Sequence, residues 1–160
     1  MKDLIKRTQK EWLKAKKDIA DRFRPLCPDI ANQLDQCTLF TGNETLEELV
    51  KLMFSPQGRE FMLSNHFPNM EILRKFKNHK LEDLKVYIDS GKVYLENPGE
   101  CFAIGNTDIE IKCDKTQKNN IILMNGAKAT IFGFNYSVIN VETDNLSNYE
   151  IFPHDFCRVL

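Results

Sequence analysis

Residues 101–160 decide the fold, and in rows of twenty they read CFAIGNTDIEIKCDKTQKNN, IILMNGAKATIFGFNYSVIN and VETDNLSNYEIFPHDFCRVL. Apolar residues recur in the same columns of these rows: Cys101 aligns with Ile121 and Val141, Ile109 with Ala129 and Tyr149, and Ile111 with Ile131 and Ile151. A β-solenoid needs such columns, because each coil buries its inward side chains only against the neighbouring coils. The repeat therefore predicts a solenoid-like roll with coils of about 20 residues.

Residues beyond Leu84 alternate between apolar and polar with a period of two, which is typical of β-strands. Turn signals separate these runs, namely Ser90-Gly91, Asn97-Pro98-Gly99, Gly105-Asn106 and Asn125-Gly126. An antiparallel meander or sandwich is the alternative to the solenoid, and in it Asn125-Gly126 is an ordinary type I′ hairpin turn. The sequence leaves both architectures open.

The first eighty residues carry helical signals instead. Between residues 4 and 23, one helix face carries the least polar positions, Ile5, Thr8, Trp12, Ala15, Ile19 and Phe23. Pro25 and Pro28 are predicted to end this helix, and a short second helix is predicted after Asp29. Thr45 to Glu48 has capping-box spacing, while Ser55-Pro56 and Pro68 each introduce a further short helix.

We therefore predict an α+β chain. A helical segment covers residues 1–82 and a β-rich, repeat-like segment covers residues 83–160, and we expect the two to pack together as one unit. The strands also carry apolar residues where solvent-facing side chains are expected: Phe102, Ile104, Ile122, Met124, Phe132, Phe134 and Tyr136. Such a surface needs a cover, which we expect to be the helical segment or a second copy of the chain.

Composition excludes several classes of protein. The 160 residues carry 22 Lys and Arg against 23 Asp and Glu, a net charge of −1, and contain no apolar run long enough to span a membrane. The N-terminal residues lack the apolar core of an export signal, and the five cysteines form no CxxC pair. These features predict a cytoplasmic protein with reduced thiols and no membrane contact.

The basic residues concentrate in the first predicted helix. Residues 1–24 hold nine basic and four acidic side chains, and a stripe of Lys6, Lys10, Lys14 and Lys17 lies along one helix face. Such a stripe can contact phosphates, which makes it a candidate nucleic-acid-binding surface. The alternative is a plain solvated helix face, on which lysine is common.

Phe132, Phe134 and Tyr136 form a row of three aromatic residues on one side of a strand. The row is a candidate interaction surface, or a platform for a sugar or a base with Asp108 or Glu110 as nearby carboxylates. Aromatic rows also fill the shared core of two packed layers, and we favour this interpretation.

No motif predicts catalysis or metal binding. Residues 154–157 include a histidine, an aspartate and a cysteine, but neighbours on an extended segment point to opposite sides. A metal site built from Cys101, Cys113, His154 and Cys157 would need all four in tetrahedral geometry, and two of these cysteines have the pattern of small buried hydrophobes. Phosphate-loop, metalloprotease and hydrolase motifs are missing from the sequence. We predict no catalytic residue, no metal and no cofactor.

Residues 54–61 (FSPQGREF), Phe67-Pro68, Phe76-Lys77 and residues 123–129 (LMNGAKA) resemble a group of small uncharacterised proteins of gut Bacteroides-type bacteria. The resemblance covers the chain from about residue 40 onward and implies a bacterial protein with short helices followed by a β-rich, repeat-like segment. That group has no assigned activity, so no site residue is implied.

We expect a non-enzymatic scaffold that binds a protein partner or itself. Nucleic-acid binding through the lysine stripe and carbohydrate binding or processing at the aromatic row are the alternatives.

Overall fold

A computed structural model describes residues 2–38, 40–65, 67–79 and 81–160, without the side chain of Glu82. The chain divides into two compact units, Met1–Ile72 and Leu73–Leu160. All strands of the described residues lie in the second unit. This unit also contains the last turn of the helix Met70–Phe76 and a short 3₁₀ helix, Leu81–Leu84. The predicted α+β class is therefore confirmed.

The helical unit is built from α1 (Lys2–Phe23), α2 (Pro28–Gln36), α3 (Leu46–Met53), α4 (Pro56–Asn65) and the start of α5 (Met70–Phe76). Two details differ from the prediction. Pro28 is the first residue of α2 instead of a stop for α1, because its fixed φ suits the first helical position and the missing N–H costs nothing there. Asn69, not Pro68, caps α5 by accepting a hydrogen bond from the backbone of Ile72 at 3.0 Å.

The predicted capping box is confirmed at the start of α3. Glu48 donates its backbone N–H to Thr45 Oγ1 at 3.3 Å, and the backbone N–H of Thr45 donates to Glu48 Oε2 at 2.8 Å. The pair satisfies two donors that a helix N-terminus otherwise leaves without partners.

Glu44, just before this cap, joins the loop to α1. It accepts hydrogen bonds from Gln9 Nε2 at 2.7 Å, from Thr41 Oγ1 at 2.7 Å and from the backbone N–H of Gly42 at 3.0 Å. Burial alone raises the pKa of Glu44, but the hydrogen bonds from Thr41 and Gln9 lower that pKa by more, to about 2. The ionised carboxylate therefore stabilises the folded helical unit.

We expect Glu44→Gln to lower the free energy of unfolding by about 2 kcal/mol at neutral pH, after allowance for partial solvent screening. Because the folded pKa lies below the unfolded one, the carboxylate's contribution is complete above about pH 5 and is lost as pH falls towards 2. Urea unfolding at several pH values should therefore show the gap between variant and wild type closing on acidification. Glu47→Gln, at a side chain that is 78% exposed, is the matched control, and an equal loss there would contradict the assignment.

The second unit is a parallel β-solenoid. Its strands are β1 (Val86–Ile88), β2 (Gly91–Glu96), β3 (Glu100–Ile104), β4 (Thr107–Cys113), β5 (Lys118–Met124), β6 (Lys128–Gly133), β7 (Val138–Thr143), β8 (Asn148–Pro153) and β9 (Arg158–Val159). One sheet has the order β1-β3-β5-β7-β9 and the other β2-β4-β6-β8, and every pair of neighbouring strands is parallel. The antiparallel meander is therefore wrong.

The strand register confirms the predicted repeat. The partners are those of the sequence columns, with Cys101 opposite Ile121 and Ile111 opposite Ile131. The first coil differs, because Val86 lies opposite Phe102, a step of 16 residues from 86 to 102. The turn between β2 and β3 is correspondingly shorter than the turns that follow.

Asn125-Gly126 adopts the backbone of the hairpin alternative without making a hairpin. Both residues have positive φ, 58° and 89°, as a type I′ turn requires. The turn nevertheless joins β5 to β6, which belong to different sheets. Local turn chemistry is therefore the same in both architectures, and only the pairing partner differs.

In the second and third coils, apolar side chains are buried both inside the solenoid and on the outer face of the strands. Cys101 and Ile121 face the solenoid interior, and outward residues of the same strands, Phe102, Ile104 and Ile122, are at most 2% exposed. The fourth coil places Glu142 opposite Ile122 and exposes more of its outer face. The outward apolar residues of β3 and β5 are therefore buried within the described chain.

Candidate functional site: an aromatic ladder on the solenoid

The aromatic row forms the first half of a ladder of stacked rings. Phe132 lies opposite Phe152 in the register of β6 and β8, and their ring centroids are 5.3 Å apart. Two residues further along the chain, Phe134 stacks on His154 with ring centroids 4.9 Å apart. After two more residues, Tyr136 stacks on Phe156 with ring centroids 4.7 Å apart. We call these six residues the aromatic ladder.

Backbone hydrogen bonds hold the ladder in place where it leaves the strands. Phe134 donates its N–H to the carbonyl of Cys113 at 2.7 Å, and His154 donates to the carbonyl of Gly133 at 2.8 Å. Asn135 and Tyr136 both have positive φ, 50° and 59°, which turns the chain sharply after Phe134. The turns at 134–137 and 154–157 share this pattern of backbone hydrogen bonds, so the rings of the two coils fall into register.

The ladder faces solvent. Tyr136 is 58% exposed, Phe152 42% and Phe156 68%, while Phe132 and Phe134 are half-buried. The interpretation of the row as core is therefore wrong. The reason is strand parity, since Ile131 and Gly133 take the inward positions of β6.

Gly133 is required beside the ladder for a packing reason. A Cβ at this position would lie 2.3 Å from Cys157 Sγ and 2.8 Å from the terminal methyl of Ile139. Cys157 therefore fills the space inside the solenoid that the glycine leaves. This packing lies between the two turns that carry Tyr136 and Phe156.

The rings of the ladder are stacked in pairs. Their planes are within 19° of parallel in all three pairs, so each ring covers one face of its partner. On its other side Phe132 lies opposite Lys112 of the preceding coil. Phe152 lies in β8, the last strand of its sheet in the described residues, so stacking within the ladder covers only one face of its ring.

The carboxylates considered with this row belong to other columns of the sheet. Glu110 lies opposite Thr130, one outward position before Phe132, and Asp108 lies opposite Lys128, a further position away. Both side chains lie on the outer face of β4, where with Lys92, Tyr94 and Thr130 they line a shallow depression. The structure therefore does not bring Asp108 to the aromatic ladder.

The lysine stripe lies along α1 as predicted. Lys6, Lys10, Lys14 and Lys17 are all exposed. Other basic residues of this helix have intramolecular partners: Arg7 pairs with Glu71 at 2.9 Å, and Lys16 donates to the carbonyl of Cys37 at 2.7 Å. The four lysines thus remain available to a phosphate backbone, and equally to water.

The histidine and cysteines do not assemble into a reactive group. His154 stacks in the ladder, whereas Cys101 and Cys113 lie inside the solenoid, where burial raises the pKa of each thiol to about 12. No three His, Cys, Asp or Glu side chains of the described residues come together as metal ligands. The buried thiols are protonated at neutral pH and serve as packing groups.

Comparisons with family profiles, curated proteins and solved structures find no match for this chain. None of the helices in the described ranges is both long and apolar enough to cross a bilayer.

Sequence reasoning found one half of the ladder and missed Phe152, His154 and Phe156. The signal was present, because each of these residues stands one coil of 20 positions after a member of the row. These pairs form only in a parallel solenoid. Because the antiparallel alternative was left open, the ladder was not predicted.

Proposed function

We propose that the protein is a non-enzymatic interaction module that binds a protein partner through the aromatic ladder. The observation that carries this proposal is the exposure of Tyr136, Phe152 and Phe156 on a rigid scaffold. Contiguous exposed aromatic surface is uncommon on soluble proteins and is typical of binding sites.

The scaffold lowers the entropic cost of binding. The rings are already stacked and their turns are hydrogen-bonded, so little side-chain freedom remains to be lost. The stacked rings offer an apolar surface on which aliphatic and aromatic side chains of a partner pack. Carbohydrate binding or processing at the ladder has less support than protein binding, because Asp108 lies opposite Lys128 and away from the rings.

The proposed setting is the cytoplasm of a bacterium, in line with the resemblance to the Bacteroides-type group. The five cysteines are free thiols, two of them fully buried. Free thiols suit a reducing compartment.

The proposal predicts that a Tyr136→Asn, Phe156→Ser double variant loses a partner that the wild-type protein retains. Asparagine is chosen at position 136 because it tolerates the positive φ there. The measurement is affinity capture from bacterial extract, followed by binding of the purified partner, where we expect at least a tenfold weaker affinity.

Tyr94→Asn is the matched control, since Tyr94 is 56% exposed on the same solenoid but lies outside the ladder. Equal loss of the partner in this variant would contradict the proposal. Light scattering of both variants tests the related case in which the partner is a second copy of the chain.

Nucleic-acid binding through α1 is the second candidate, and the exposure of all four stripe lysines favours it. It predicts retention that nuclease treatment abolishes, that weakens steeply with salt and that falls when Lys6, Lys10, Lys14 and Lys17 become Gln. Salt-insensitive retention that depends on Tyr136 would exclude it in favour of the ladder.

A further inference from the structure

The outer edge of β2 carries a row of backbone groups without a neighbouring strand. β2 is the first strand of its sheet, and no strand of the described residues pairs with the side that faces away from β4. Gly91 donates its N–H to the carbonyl of Asn106, at the start of β4, so the odd-numbered residues of β2 face β4. Because successive residues of a strand point their N–H and C=O groups to opposite sides, Lys92, Tyr94 and Glu96 face the open side. Such an edge is a template for a further strand.

The inward side chains of β2 are also incompletely covered. Val93 and Leu95 pack on the core of the solenoid but are only half-buried. Their partners in β4, Ile109 and Ile111, are 0% exposed because β4 has a strand on each side. A strand added to the open edge would therefore bury apolar surface as well as pair backbone groups.

The sequence of β2 is complementary to its own reverse. Residues 92–96 read KVYLE, and an antiparallel second copy centred on Tyr94 places Lys92 opposite Glu96 of the partner subunit. The same register places Val93 opposite the partner's Leu95. It also pairs all three open-side residues of each copy, whereas a shift by two residues leaves one of them without a partner. Opposite charges that lie directly across an antiparallel pair are stabilising.

We propose that a second copy of this chain binds the open edge of β2, in an antiparallel pair whose twofold axis passes through Tyr94. The same surface of both copies is then used, as a closed dimer requires, and the two four-stranded sheets become one. This contact goes beyond the proposed binding at the aromatic ladder, which lies on β6, β8 and the turns after them. The bonds at the axis are made by the backbone, so Tyr94→Asn retains them.

Charge reversals at the two ends of the paired segment test the register. Lys92→Glu places a carboxylate opposite Glu96 of the partner subunit, and Glu96→Lys places an amine opposite the partner's Lys92. Analytical ultracentrifugation of the full chain should show a concentration-dependent dimer for the wild type and about tenfold weaker dimerisation for each variant. An equimolar mixture of the two variants should dimerise as strongly as the wild type, because every pair in the mixed dimer again has opposite charges.

Lys128→Glu is the matched control. Lys128 and Lys92 both lie opposite Asp108, one on each side of it, so the same reversal meets the same carboxylate away from the open edge. We expect this variant to dimerise like the wild type. The Tyr136→Asn, Phe156→Ser variant should also remain dimeric, which separates this contact from the ladder.

Hydrogen exchange of the wild-type protein provides a readout that needs no variant. The backbone N–H groups of Tyr94 and Glu96 should exchange more slowly as the protein concentration rises, because their acceptors lie on the other copy. A monomer at every concentration would overturn the proposal, as would assemblies larger than a dimer, which a head-to-tail contact produces. It is also overturned by a dimer that both edge variants leave intact, by a mixture that does not restore the dimer, or by loss of the dimer in the ladder variant.

Discussion

Alanine in place of Gly58 is expected to destabilise the helical unit by about 3 kcal/mol, one of the two largest effects that we predict. A Cβ at this position would lie 2.2 Å from the carbonyl oxygen of Leu52 and 2.4 Å from that of Met53. Both atoms belong to the backbone of α3, so no rotation of a side chain can relieve the clash. The two helices must move apart, which opens the packing around the buried Met53 and Met62. Urea unfolding followed by circular dichroism measures the loss.

Ser64→Ala is the control for this variant. It introduces the same side chain into the same helix at an exposed position, where we expect a change within about 0.5 kcal/mol. Equal stability of Gly58→Ala and Ser64→Ala would show that α3 and α4 do not approach as closely as the structure has them. A change of Trp12 fluorescence in Gly58→Ala at low urea would show in addition that the contact of Trp12 with Phe61 of α4 depends on this close approach.

The solenoid could be predicted because its core is periodic. Ile111, Ile131 and Ile151 recur at a constant offset, and only stacked coils bring such residues into one column. The choice against a meander could not be made from sequence, because Asn125-Gly126 has the same backbone in both architectures. The 16-residue length of the first coil was not predicted either, because the register of this coil depends on the short turn from Asn97 to Gly99 and not on a repeated motif.

The surfaces were harder to predict than the core. Phe102 and Phe132 occupy equivalent outward parities, yet one is 2% exposed and the other half-buried, because exposure depends on what packs over a strand. His154 stands beside Asp155 and Cys157 in the sequence, whereas in the structure it stacks on Phe134, 20 residues earlier in the chain.

Truncation of a core side chain should destabilise the solenoid most in its middle coils. Ile131→Ala tests this, and we expect it to lower the free energy of unfolding by about 4 kcal/mol. Ile131 is 0% exposed and lies between Ile111 and Ile151 in adjacent coils. Its truncation leaves a cavity against both neighbours, and the solenoid cannot close it because each strand is hydrogen-bonded on either side.

Ile151→Ala removes the same atoms from the same column one coil later, where the side chain is half-buried. Because fewer contacts are lost, we expect this variant to lower the free energy of unfolding by about 2 kcal/mol. Urea unfolding of the two variants followed at a β-sheet wavelength gives the comparison, and equal losses would mean that the stacking of coils does not set stability. If Ile131→Ala also abolishes partner binding at low denaturant, the aromatic ladder depends on an intact third coil, because Phe132 follows Ile131 directly in β6. Retained binding in a destabilised protein would instead show that the stacked rings and their turns hold the binding surface together by themselves.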